Sequence, residues 1–259
     1  MSFPTIPDKH RDPSTFPPRV FLDALRESGW QPGAVPDSVL LTYAHLERFL
    51  AVQPDLYTPN DMLGTGPGTF FIVNGTNDRV AVNCLGIGAP AAVAQMELQA
   101  DLGVRRFISI GTAGCFDPTM EPGDLVLVTK GLRDEGTSHH YLPADAEAVP
   151  DPDLNQAFAG ALTAAGLDYR SGVTLTTDAP NRITAREIQR MREDGVLTVE
   201  MEAAAVFAAG SALGVQTACA VVADSVADEN MSWHLDAAAA GQTMLALFAP
   251  TVDLLAEID

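Results

Sequence analysis

Three short stretches hold the residues best suited to chemistry. Glu200 and Glu202 flank Met201 in VLTVEMEAAAVF, Asp224 sits in VVADSV, and two glycine turns occupy Gly86 to Ala91 and Gly111 to Gly114. Carboxyl groups in such places hold hydroxyls or exchange a proton with a leaving group. Glycines just before a helix let backbone amides and the positive helix end approach an anion. The first turn, Gly86-Ile87-Gly88-Ala89-Pro90-Ala91, has the G-x-G-x-x-A spacing of a dinucleotide site and follows the β-like run RVAVNCL. A dinucleotide site also needs an acid about 20 residues on, and it normally lies in the first βαβ unit. Here the next strand, RRFISI, runs into GTAG with no acid, and the fingerprint starts only at residue 86. The glycines therefore point to a tight turn, with an anion or sugar at a helix N-terminus, rather than to NAD. The plainer alternatives are a helix start favoured by first-turn acids for Glu200 and Glu202, and a turn aspartate for Asp224.

Alternating strands and helices must position these residues. SVLLTY reads as a strand, AHLERFLAV as a short helix, and GTFFIVNGTNDRVAVNCLG as a hairpin with a polar turn. PAAVAQMELQADLG is a helix stopping at Gly103, VRRFISIGTAG a strand running into a glycine turn, and DLVLVTKGLRD a further strand. DPDLNQAFAGALTAAG is a helix with an acidic start and a glycine stop, YRSGVTLTTD a strand, and TAREIQRMRED a helix. EMEAAAVFAAGSALG reads as a helix opened by two acids, VQTACAVVADSV as an apolar strand, and the chain from Ala237 as a last helix. The alternation predicts an α/β fold with helices on both faces of a mixed, largely parallel sheet. Ligands in such folds sit at the C-terminal ends of strands, where Gly86, Gly88, Gly111, Thr112, Gly114, Asp178 and Asp224 are expected. Residues 1–37 read as a Pro-rich, irregular N-terminal extension with one short helical stretch at RVFLDALRES, and 38–259 as a single domain.

Composition excludes several function classes. The 259 residues suffice for a buried core, and 47% hydrophobic with 19% charged is ordinary for a globular protein. A net charge of −19, with only Lys9 and Lys130 as lysines, repels nucleic acid and anionic membranes. No apolar run of about 18 residues escapes interruption by charges or turn residues, so no membrane span is expected. The N-terminus lacks the pattern of a secretion signal. Cys84, Cys115 and Cys219 are isolated and form no C-x-x-C, which predicts reduced thiols in the cytoplasm. His139 and His140 are adjacent and find no third ligand at useful spacing, so no metal site is expected.

The blocks GIGAPAAVAQMEL with LGVRRFISIGTAG, PGDLVLVTKGLRDEGTSHHYLP, VLTVEMEAAAVFAAGSALGV and AVVADSVAD resemble, in that order, the nucleoside phosphorylase superfamily. That superfamily includes uridine phosphorylase, hexameric purine nucleoside phosphorylase and the methylthioadenosine nucleosidases, and the likeness covers residues 39 to 258. It implies a three-layer α/β/α fold, no metal or organic cofactor, inorganic phosphate as co-substrate, and a homo-oligomer, a dimer or a trimer of dimers, with shared active sites. Cleaving an N-glycosidic bond passes through a ribosyl cation, which calls for an anion under the sugar, a grip on its hydroxyls and a proton for the departing base.

On that resemblance Glu202 and Asp224 are the catalytic candidates. Met201, Glu202, Thr112 and an N-terminal histidine, His10, are expected at the ribose. Arg48, Gly88, Ser109 and Thr112 are expected at phosphate. Ala113, Gly114, Pro180, Glu200 and Asp224 are expected on the base side. Two departures stand out: Arg48 lies in AHLER rather than G-D-P-x-R, and Ser109 stands where the family places a second arginine. An aspartate at 224 and the absence of a Q-x-R uracil clamp after TTDAP favour a purine nucleoside as substrate. Uridine phosphorolysis, nucleoside hydrolysis by water and a catalytically silent nucleoside-binding protein are the competing expectations.

Overall fold

The computed structural model describes Ile6 and residues 8–43, 57–59 and 70–258. Arg48 and the short helix expected at AHLERFLAV lie outside the described residues. The described strands are β1 (Ser38–Tyr43), β2 (Tyr57–Pro59), β3 (Phe70–Val73), β4 (Val80–Leu85), β5 (Arg106–Cys115), β6 (Leu125–Asp134), β7 (Arg170–Thr177), β8 (Val196–Glu200), β9 (Gln216–Ala227) and β10 (Trp233–Leu235). The helices are α1 (Pro18–Glu27), α2 (Ala89–Leu102), α3 (Pro152–Ala164), α4 (Ala185–Glu193), α5 (Ala203–Leu213) and α6 (Ala237–Glu257). Local chemistry explains their ends. Pro90 and Pro152 open α2 and α3, where a missing N–H costs nothing. Asp151 caps α3 through the Leu154 amide, and Thr184 with Glu187 forms a capping box on α4. The expected hairpin is β3 and β4, antiparallel around Gly75, Asn77 and Asp78, all at positive φ.

The strands form one mixed sheet ordered β10-β9-β6-β7-β8-β5-β1-β4-β3-β2. Its long ladders, β1 with β4 and β5, β5 with β9 and β6 with β7, are parallel. Helices α2 and α5 bury their apolar side chains on one face, and α3 and α6 on the other. This is the three-layer α/β/α arrangement. By length and composition α6 could cross a membrane. Here its Met244, Leu247, Phe248 and Leu255 are buried against the sheet, which gives a core helix the same apolar character.

One feature of the sheet was not expected. Strand β5 also pairs with β9, so β5, β9, β6, β7 and β8 close into a ring. The closing contact is a short antiparallel pairing of Gly114 with Val199 and Cys115 with Thr198. It requires β5 to stay extended through Gly111-Thr112-Ala113-Gly114, so this stretch is strand and not the expected glycine turn. It also brings Glu200, the last residue of β8, beside that stretch. Glu200 is thus not in the first turn of a helix; β8 ends there and α5 begins at Ala203.

Helix α5 lies very close to β6. A Cβ built on Gly131 would fall 2.7 Å from Ala204 Cα and 2.9 Å from its N. We therefore expect Gly131→Ala to push α5 off the sheet and to destabilise the protein by about 1–3 kcal/mol. The check is a urea melt, in which the midpoint should fall with an unchanged slope.

Candidate active site

The site is built where α5 starts. Glu200 and Glu202 are 7% and 5% exposed. The Glu200 carboxylate accepts the amide N–H groups of Glu202 (2.7 Å) and Ala203 (2.6 Å) on one oxygen and the Thr176 hydroxyl (2.5 Å) on the other. Thr176 in turn accepts the Ala204 N–H at 2.9 Å. The first amides of α5, which have no partner within the helix, are thus satisfied from strands β7 and β8. Glu202 is left to reach across to the other glycine turn, where its Oε1 accepts the Gly88 N–H at 2.5 Å. Gly88 is the N-cap of α2, at φ +111°, a conformation that favours glycine. The amide expected to meet phosphate therefore holds the Glu202 carboxylate. Burial first pushes both acids up, to about 7 each, and for Glu200 the neighbouring Glu202 adds to it.

Beside this pair, the Tyr43 hydroxyl lies 2.9 Å from Ser109 Oγ. The tyrosine ring packs on Gly111, where an added Cβ would sit 3.2 Å from Cδ2. Burial holds the phenol well above its ordinary range, and the Glu202 charge adds to this. Ser109 is only 1% exposed, and Cys219, opposite it in β9, shares a hydrogen bond with it. Sequence reasoning missed Tyr43 and Thr176. The available signals were an aromatic residue ending β1 and a hydroxyl pair, Thr176-Thr177, ending β7 just before Asp178.

Asp224 does not end β9. The β5–β9 register runs from Ala113 opposite Ala223 directly to Gly114 opposite Ser225. Asp224 is the extra residue of a β-bulge, a distortion that re-aims a side chain out of the ladder. Its carboxylate accepts the Ser225 hydroxyl at 2.8 Å, and its carbonyl accepts the Asp236 N–H at 3.0 Å. The Trp233 ring covers Gly114 and would lie 3.0 Å from a Cβ there.

The structure thus gathers Gly88, Glu200, Met201 and Glu202 at one point, and links Ser109 to it through Tyr43. Thr112 and Ala113 lie along β5 between Ser109 and the Asp224 bulge. Pro180 is exposed in the short turn Pro180–Arg182 that follows β7. His10 lies in a turn that Lys9 ties to His140 of the same chain, Nζ to Nδ1 at 2.9 Å. Arg133 is occupied in fixing its own loop, donating to the Ser138 hydroxyl and to the carbonyls of Leu142, Pro143 and Ala146. Asp178 accepts the Gly136 N–H at 2.8 Å. Among the described residues, no group of three His, Cys, Asp or Glu is placed to hold a metal ion.

Comparison with known proteins decides the family. A family model described as the phosphorylase superfamily matches residues 44–251. The chain belongs to the phosphorylase superfamily. Within it, the chain is 28% identical to a uridine phosphorylase of Haemophilus influenzae over 64% of this chain and 71% of that one. It is 30% identical to a uridine phosphorylase of Thermococcus kodakarensis over 58% of this chain. It is 31% identical to a guanosine phosphorylase of Halorubrum lacusprofundi over 59% of this chain. The last two matches span 60% and 64% of those relatives' own lengths, less than two thirds. In fold, the chain matches purine nucleoside phosphorylase from Toxoplasma gondii in complex with immucillin-H, with a TM-score of 0.71 at 20% identity over 86% of this chain and 91% of that one. A P knowlesi homologue of P falciparum PNP matches with a TM-score of 0.69 at 19% identity over 86% and 88%.

The raised acids make folding pH-dependent. A carboxyl group whose folded pKa lies near 7, against an ordinary 4.5, binds its proton more tightly in the native state. Its contribution is fully present below about pH 4.5 and is lost as pH rises to about 7. We expect the urea midpoint to fall between about pH 5 and pH 8, and Glu202→Gln to flatten that fall. An unchanged slope in the variant would refute the assignment.

Proposed function

We propose that the protein is a nucleoside phosphorylase that cleaves a purine nucleoside with inorganic phosphate, releasing free base and ribose 1-phosphate without a metal or organic cofactor. The observation that carries this reading is Asp224, lifted out of the β5–β9 ladder beside Gly114 on the same edge of the sheet as the Glu202–Gly88 pair. A carboxyl group there can supply a proton or hydrogen bond to a leaving purine. Glu202, anchored by Gly88, is suited to the ribose hydroxyls, with Met201 against the sugar. In its ionised form it also stabilises positive charge growing on the ribosyl ring. Glu200 has both oxygens engaged by α5 amides and Thr176, so its role here is to hold Glu202 rather than to touch the base.

Uridine is the second reading, favoured by the uridine phosphorylases among the relatives. We also infer a homo-oligomer, on the family resemblance, and a cytoplasmic location, on three free thiols.

A panel of guanosine, inosine and uridine, each with and without phosphate, tests the function. We expect phosphate-dependent base release, fastest from a purine nucleoside. Faster release from uridine would establish the second reading. Release without phosphate would show hydrolysis, and binding without release would show a silent protein. Asp224→Asn should lower purine release by about 10²-fold or more, the usual contribution of a general acid. Near-normal kcat/KM in that variant would overturn the purine assignment.

A further inference from the structure

Strands β1, β4, β5 and β9 end at one edge of the sheet, and Tyr43 is the last residue of β1. In register it faces Leu85, from which the chain turns through Gly86 to Gly88. Its ring crosses β5 over Gly111, the position where a side chain would collide with it. Its hydroxyl ends on Ser109, and behind Ser109 lies Cys219. Ser109 is 1% exposed and has no open face for a ligand, whereas Tyr43 is half-buried and forms the outer end of the row.

The Tyr43–Ser109 bond can run in either sense, since either oxygen can donate, and an anion beside the phenol selects one of them. Thiol, hydroxyl and phenol each carry one proton. With Cys219 donating to Ser109 and Ser109 donating to Tyr43, the phenolic proton is left for something outside. Donors in series strengthen one another, so the last one is a better donor than an isolated phenol. Burial and the neighbouring carboxylates also keep the phenol and the thiol protonated. In that sense an outward-facing phenol is suited to an anionic oxygen.

We propose that Tyr43 contacts the nucleophile side of the site, donating its phenolic hydrogen bond to an oxygen of inorganic phosphate, with Ser109 behind it as the positioning residue. This rests on the reading of phosphate as co-substrate. The sequence places Ser109 at phosphate together with Arg48, Gly88 and Thr112; in the structure the Tyr43 hydroxyl lies next to Ser109 on its outer side.

The test is calorimetric titration of inorganic phosphate into the full-length protein and its Tyr43→Phe and Ser109→Ala variants, without nucleoside, beside steady-state kinetics. Loss of one hydrogen bond to a charged group should weaken phosphate binding about tenfold or more in Tyr43→Phe. It should raise the KM for phosphate in step, with a smaller change in kcat. Ser109→Ala should weaken binding less, and the double variant should be no worse than Tyr43→Phe, because the two residues act in series. Equal phosphate affinity in wild type and a folded Tyr43→Phe would overturn the proposal, as would additive losses in the double variant or a wild type that binds no phosphate. Phosphate binding that depends on Tyr43, in a protein that cleaves no nucleoside, would leave this contact standing and defeat the enzymatic reading alone.

Discussion

The site depends on one buried hydrogen bond, from the Gly88 amide to the Glu202 carboxylate. It joins the N-terminal ends of two helices that lie more than a hundred residues apart in the chain. The positive end of α2 receives a carboxylate that belongs to the start of α5. An ionised carboxylate buried in apolar surroundings is costly unless it is hydrogen-bonded. Glu202 has that amide, and Glu200 has three donors of its own, which offsets part of the penalty and leaves both acids titrating near neutrality. In the role proposed for Glu202, positive charge growing on a sugar ring would draw its carboxyl toward the ionised form.

The second constraint is the closure of the sheet. Only two residue pairs join β5 to β8, yet they place the end of β8 against Gly114, the last residue of the G-T-A-G stretch. Closure needs a small residue at Gly114, which lies between Val199 and Trp233, and close packing of α5 needs another at Gly131. The bulge at Asp224 follows from the same geometry. As β9 pairs with β5 on one side and continues toward β10 on the other, one residue is left over, and it is the acid.

Much of this was legible in the chain. Period and capping residues marked α2, α3, α4 and α6 close to their observed bounds, because Pro, Asp, Thr and Gly act locally at helix ends. The β3–β4 hairpin followed from its Asn, Asp and Gly turn. Glu200 was misread because two acids before an alanine run look like a helix start, whereas the strand β8 continues to Glu200 through its pairing with β7. The G-T-A-G stretch was misread because glycine weakens a strand prediction, and here β8, β9 and Tyr43 all crowd against it.

The sequence by itself determined the element types, the acids and the glycines, since these are set by side-chain chemistry and short-range backbone preference. Only the tertiary structure decided which acid meets which amide, that Glu200 acts as a clamp on α5, that Ser109 lies behind Tyr43, and that Asp224 leaves its ladder. Each of these depends on strands distant in sequence arriving side by side, and a one-residue change in register would send each side chain to the opposite face of the sheet.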